Sequence, residues 1–118
     1  PRTMRYALQI NINSMKNNRK AKADSELNQK RMDRLYDALL SLKNREECAA
    51  FLRDLCTVSE LEALSERLAI AERVSKDESY LSIAGDLGAS TTTVTRVAHW
   101  LNHGRGGYGT VISRLQKR

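Results

Sequence analysis

Apolar residues recur at three- and four-residue intervals through most of the chain, but only after about residue 24. Met32, Leu35, Tyr36, Leu39 and Leu42 form the first such stripe, the pattern of a helix that buries one face. Asp24 or Ser25 can cap its start by accepting orphan backbone N–H bonds. Asn44 with Glu47 has the spacing of a capping box and opens a second helix carrying Cys48, Phe51, Leu52 and Leu55. Ser59 with Glu62 repeats the spacing ahead of a third stripe, Leu61, Leu64, Leu68, Ala71 and Val74, which Ile70 widens. Two shorter helices are expected over about 79–87 and 90–102, separated only by Gly88 and Ala89. Residues 104–107 are Gly-rich and break the chain. Tyr108, Val111, Ile112 and Leu115 then stand at i, i+3, i+4 and i+7, which predicts a short C-terminal helix. The sum is an all-α protein of about six helices.

Composition supports that class. The 118 residues suffice for one ordinary domain, or a small domain with a tail. Hydrophobic residues at 41% and charged residues at 29% give a globular balance, and a single Pro and a single Phe suit helices better than strands. Residues 1–23 are rich in Asn, Lys and Arg, with Ile10, Ile12 and Met15 as isolated apolar positions. They are expected to form a basic, flexible N-terminal extension, read first as a poorly ordered leader and second as an arm that touches phosphates, with residues 24–118 as the helical domain. No segment approaches the roughly 18 consecutive apolar residues of a membrane span, and the N-terminus lacks the features of a signal peptide, so a soluble, cytoplasmic protein is expected. Cys48 and Cys56, eight positions apart in a helical region, are expected to be free thiols.

Charge is segregated along the chain. Residues 1–31 hold eight Lys/Arg against two Asp/Glu, residues 32–78 seven against eleven, and residues 79–118 five against one. Basic ends around an acidic middle fit a polyanion-binding protein whose binding surface and scaffold occupy different segments.

Residues 80–99 carry the strongest functional signal. A tight turn between two crossing helices needs a small residue at the crossing and a turn residue that tolerates positive φ; Ala84 and Gly88 supply them. Ile83, Leu87, Val94 and Val97 provide the apolar lock, and Ser90 can cap the second helix. This is the internal pattern of a helix-turn-helix unit, placed at about 79–102. With Val94 and Val97 inward, Thr91, Thr92, Thr95, Arg96 and His99 fall outward near the start of the second helix, beside Ser90, where side chains reach base edges. Threonine can donate, accept and offer a methyl group, and Arg96 can serve a phosphate or a guanine edge. Arg105 is assigned to phosphates. His99 and His103 have the spacing of half a zinc site, but no third ligand stands near, so no metal or cofactor is expected. The glycines after residue 103 lack the P-loop order, Trp100 is expected in core or interface packing, and no catalytic constellation occurs. The chain is not expected to be an enzyme.

Two blocks carry a family resemblance. DLGASTTTVTR (residues 86–96) resembles the core of the bacterial tryptophan repressor, and SLKNREECAAFLRDLCTVSELEALSERL (residues 41–68) resembles the signature of its YerC/YecD branch. The blocks occur in order and at the family's separation, and the likeness runs from about Met32 to the C-terminus. The resemblance implies an intertwined homodimer, with the helix-turn-helix in the major groove of double-stranded DNA and a repressor-like role in bacterial transcription. It assigns Thr91, Thr92 and Thr95 to operator contact. It assigns Arg96 and Arg67 to an effector pocket, where the family's glycine is replaced by Val97 and the branched side chain would fill the slot of an indole. Tryptophan is therefore not the expected effector, and the sequence names no other. The rival reading is a protein-interaction module, a degenerate helix-turn-helix docking on polymerase or another regulator.

Overall fold

The computed structural model describes residues 2–117, with side chains from residue 11 onward. Among the described residues there are six α-helices and no strand: α1 (Arg2–Leu40), α2 (Arg45–Leu55), α3 (Val58–Ser75), α4 (Tyr80–Leu87), α5 (Thr91–His103) and α6 (Gly107–Gln116). The chain divides into two compact units, residues 1–49 and 50–118.

In the first unit, α1 begins well before the expected start at Asp24 or Ser25. The reason lies in what periodicity measures. An apolar stripe reports a buried face, and the side chains of residues 11–34 are all exposed. The helix rests on propensity instead: between Arg2 and Leu40 there is neither Gly nor Pro, and Ala, Lys, Arg, Gln, Met and Leu propagate a helix at little entropic cost. Its ends are not charge-compensated, with no acid in the first turn and no base in the last. The side chain of Ile10 and both terminal residues lie outside the described set. At the other end, the Ser41 N–H donates to the Asp37 carbonyl at 3.0 Å and its hydroxyl to the Ala38 carbonyl at 2.6 Å. The Glu47 N–H then donates to Asn44 Oδ1 at 2.8 Å, while the Glu47 carboxylate accepts from the Lys43 N–H at 3.0 Å. The pairing is the one expected, with the glutamate reaching one residue further back.

The second unit contains the core. Ile70, Ile83 and Val94 are fully buried, one each from α3, α4 and α5, and Ala71, Ala84, Val97 and Ile112 complete the cluster. Leu68, Val74, Leu87, Leu101 and Tyr108 pack on its rim. The start of α3 is fixed by Thr57 and Glu60, not by Ser59 and Glu62. The Glu60 N–H donates to the Thr57 hydroxyl at 3.1 Å and the Thr57 N–H to the Glu60 carboxylate at 3.0 Å. Both pairs have the required spacing, and the extended backbone of Thr57 (φ −71°, ψ 162°) decides between them. The Thr57 N–H first, and then its hydroxyl, hold the Glu60 carboxyl below its ordinary range.

An ion cluster ties α3, the following turn and α4 together. Arg73 donates from Nε to Glu78 Oε2 at 3.0 Å, and from Nη2 to Glu78 Oε1 at 2.9 Å and Asp86 Oδ2 at 2.6 Å. The fork geometry of the guanidinium matches a carboxylate edge. Hydrogen bonding to Arg73 holds the Glu78 carboxyl low, and Glu78 followed by Asp86 pushes the guanidinium further up. In the same turn Asp77 adopts φ 61°, a left-handed conformation that short polar side chains tolerate best after Gly. Cys48 and Cys56 are free thiols, as expected. Among the described residues no helix is long and apolar enough to cross a membrane.

Candidate nucleic-acid interface

The α4–α5 connection begins with the Ser79 cap, whose hydroxyl accepts from the Ser82 N–H at 3.1 Å. It turns at Gly88 (φ 69°, ψ 22°), where the N–H groups of Gly88 and Ala89 both donate to the Ala84 carbonyl. Such a left-handed exit satisfies the last carbonyls of α4 and favours Gly. Ser90 starts α5 by accepting from the Thr93 N–H at 3.1 Å, and its hydroxyl also meets the Thr93 hydroxyl at 2.9 Å. Three residues, Gly88, Ala89 and Ser90, therefore separate two capped helices, and Ile83, Ala84, Val94 and Val97 are buried in one cluster with residues of α3 and α6.

That lock leaves a defined outer surface. Thr91, Thr92, Thr95, Arg96 and His99 are all exposed. By helical period Thr92, Thr95, Arg96 and His99 lie opposite the buried arc of Val94, Val97 and Ala98, with Thr91 at its edge. Two hydroxyls are already engaged: Ser90 by its cap, and Thr95 by donating from Oγ1 to the Thr91 carbonyl at 2.9 Å. Thr95 therefore keeps acceptor capacity and a methyl group for a partner. Arg105 is exposed in the α5–α6 connection beside Gly106 (φ 80°). The sole acid between residues 79 and 118, Asp86, is bound by Arg73, so no uncompensated carboxylate competes with a phosphate on this half of the unit.

The three residues assigned to an effector pocket meet in one place. Arg67, Arg96 and Val97 line a cavity of about 360 Å³ with Thr93, Trp100 and Tyr108. Thr93 and Trp100 flank Arg96 along α5 at i−3 and i+4, so helical spacing could have found them; Tyr108 comes from α6, and no local signal announces it. Arg96 thus belongs to both the outer face and the cavity. Trp100 is 61% exposed within this chain, which excludes the core half of its expected packing role and leaves the interface half. Its ring meets His99 edge-on at 5.2 Å, and His99 and His103 lie 5.1 Å apart. Among the described residues no group of three His, Cys, Asp or Glu side chains is placed to hold a metal ion.

A helical unit of this form, with a capped and acid-free second helix outermost, defines a helix-turn-helix protein. The comparisons with known proteins agree: the family model for Trp repressor protein matches residues 30–116, and the chain belongs to that family of DNA-binding regulators. The uncharacterised protein YerC of Bacillus subtilis (strain 168) is 38% identical over 92 residues, 78% of this chain and 88% of that protein. A crystal structure of a TrpR-like protein from Eubacterium eligens ATCC 27750 superposes with a TM-score of 0.73 at 39% identity, covering 78% of this chain and 95% of that one. A Staphylococcus aureus protein provisionally assigned as a Trp repressor gives 0.69 at 42% identity, covering 72% and 85%.

Proposed function

We propose that the protein binds double-stranded DNA sequence-specifically as a homodimer and regulates transcription in the manner of a repressor, without tryptophan as its switch. The carrying observation is the outer face of α5, where Thr92, Thr95, Arg96 and His99 are exposed together on a helix fixed by three buried neighbours and a side-chain cap. Thr91 and Ser90 border that face, and Arg105 supplies charge for a phosphate. In this role the threonines read base edges and thymine methyls, while the arginines hold the backbone.

Dimerisation is supported by unspent apolar surface. Leu55, Val58, Leu64, Val111 and Leu115 of the second unit are each at least 42% exposed, and Leu52, Leu61, Leu64 and Leu68 help line an open groove of about 510 Å³. Few monomeric proteins of this size leave so much unpaired, and two-fold pairing would present two reading helices about one DNA turn apart. Val97 argues against tryptophan: it is 4% exposed and lines the cavity together with Arg67 and Arg96, so a branched side chain stands where the family's glycine leaves room for an indole. Selection from random duplexes followed by footprinting tests the proposal. Enrichment of a site with two-fold symmetry is expected. Failure to enrich any duplex would reject DNA reading and leave α5 as a docking surface for polymerase or another regulator.

A further inference from the structure

α1 carries a cationic stripe that the helix-turn-helix reading does not use. At 100° per residue, Lys16, Arg19, Lys20, Lys30, Arg31 and Arg34 fall within one arc of about 120°. All six are exposed, and among the described residues none is held in an ion pair. Within that arc the sole acid is Asp37, at its edge and beyond the last cation; Asp24, Glu26 and Asp33 lie outside it. Met32 and Leu39 fall on the opposite side, and the exposed Ile12 and Leu27 lie within the basic arc. The eighteen-residue step from Lys16 to Arg34 spans about 27 Å at 1.5 Å per residue, the axial length of roughly eight base pairs. Three of the six cations, Lys16, Arg19 and Lys20, precede residue 30, where the match to the family model begins, so the family's shared part does not account for that half of the stripe.

We infer that this face of α1 is a second DNA-contacting surface, one that neutralises phosphates of duplex DNA without reading sequence. The inference rests on the DNA-binding role proposed for α5 and extends it to a separate part of the chain. Charge complementarity selects the partner class. Six point charges spread over 27 Å suit a regular polyanion, and duplex DNA presents one charge per about 1.7 Å of axis. The stripe itself holds no aromatic side chain on which an unpaired base could stack, which favours duplex over single-stranded nucleic acid.

The test compares two full-length variants of equal net charge. One replaces Lys16, Arg19 and Lys20 with Gln; the other replaces Lys22, Lys43 and Arg45, which lie off the stripe, with Gln. Glutamine propagates a helix nearly as well as Lys or Arg, and circular dichroism checks that both variants keep the wild-type helix content. Affinity for a random 40-base-pair duplex is measured at several salt concentrations. The stripe variant is expected to flatten the slope of log K against log salt by roughly two to three units, and the off-stripe variant by less than one. Equal slopes in the two variants, with wild-type binding intact, overturn the stripe and leave the α5 reading standing. A wild type that binds no duplex at all overturns both. If the stripe variant instead loses affinity for vesicles of anionic lipid while its DNA slope is unchanged, the surface belongs to a membrane and the inference is wrong.

Discussion

Arg96 of α5 and the Lys and Arg side chains of residues 11–34 in α1 all face solvent, yet different physics makes the two segments helical. Val94, Val97 and Ala98 anchor α5 in the core, Ser90 caps it, and Gly88 fixes its approach. Residues 11–34 of α1 bury nothing, and neither end of α1 carries a compensating charge. One helix is set by burial and local chemistry together, the other by backbone propensity with surface pairs such as Gln29 Nε2 donating to Asp33 Oδ1 at 2.9 Å. A helix held by packing can present side chains at fixed positions, which base reading requires. A helix held by propensity can present charge, which phosphate neutralisation alone demands.

The contrast breaks most visibly under truncation. Ile83→Ala removes a fully buried side chain where α3, α4 and α5 meet, and should cost about 2 to 5 kcal/mol in chemical denaturation. Ala23→Gly in α1 should cost no more than about 1 kcal/mol, read as lost ellipticity with little change in the main transition. An Ile83→Ala loss below that of Ala23→Gly would contradict the division.

The same division explains what the sequence disclosed. Elements that bury a face were legible, because Leu68, Ala71 and Val74 or Val94 and Val97 announce an inward side. The Gly88 turn was legible because only a few residue types tolerate its φ. The early start of α1 was not, because a helix with no buried face writes no stripe. The cap of α3 was misplaced by two residues because Thr57 with Glu60 and Ser59 with Glu62 share one spacing, and the choice belongs to the backbone. In the candidate site, the grouping of Arg67, Arg96 and Val97 as an effector pocket came from the family resemblance, although helical period alone places Arg96 outward and Val97 inward. Tyr108 joins their cavity only because α6 folds back on the core, a long-range event that spacing does not encode. Trp100 sits between the buried arc and the outer face, where periodicity is least informative.

Smaller perturbations sharpen the comparison. Gly88→Ala places a Cβ in open space, but at φ 69°, so the backbone conformation and not a clash sets the penalty, about 1 to 2 kcal/mol. Circular dichroism should still report both helices, with DNA affinity reduced more than helix content because the angle between α4 and α5 depends on that residue. Unchanged stability would mean that the turn relaxes without consequence.

The gentlest effect is that of acid. Glu60 and Glu78 have carboxyl groups held below their ordinary range by Thr57 and by Arg73 respectively. A depressed folded-state pKa contributes stability that is fully present above the unfolded value, near 4.3, and is lost as pH falls through the lower folded value. Both groups belong to the second unit, so its unfolding transition should weaken below about pH 4. Glu78→Gln should flatten that acid limb while leaving the helix content of α1 unchanged. An acid limb identical in wild type and variant would remove the Arg73 cluster from the account.

The central claim, that the outer face of α5 reads sequence, is tested most directly by binding isotherms for wild type, Thr92→Ala and Arg105→Ala on a selected duplex and its scrambled counterpart across several salt concentrations. Thr92→Ala is expected to cost roughly 1 to 3 kcal/mol on the selected duplex and little on the scrambled one. Arg105→Ala should weaken both alike and flatten the salt slope by about one unit. Losses in the same proportion on both duplexes for the threonine and arginine variants would contradict sequence reading by α5.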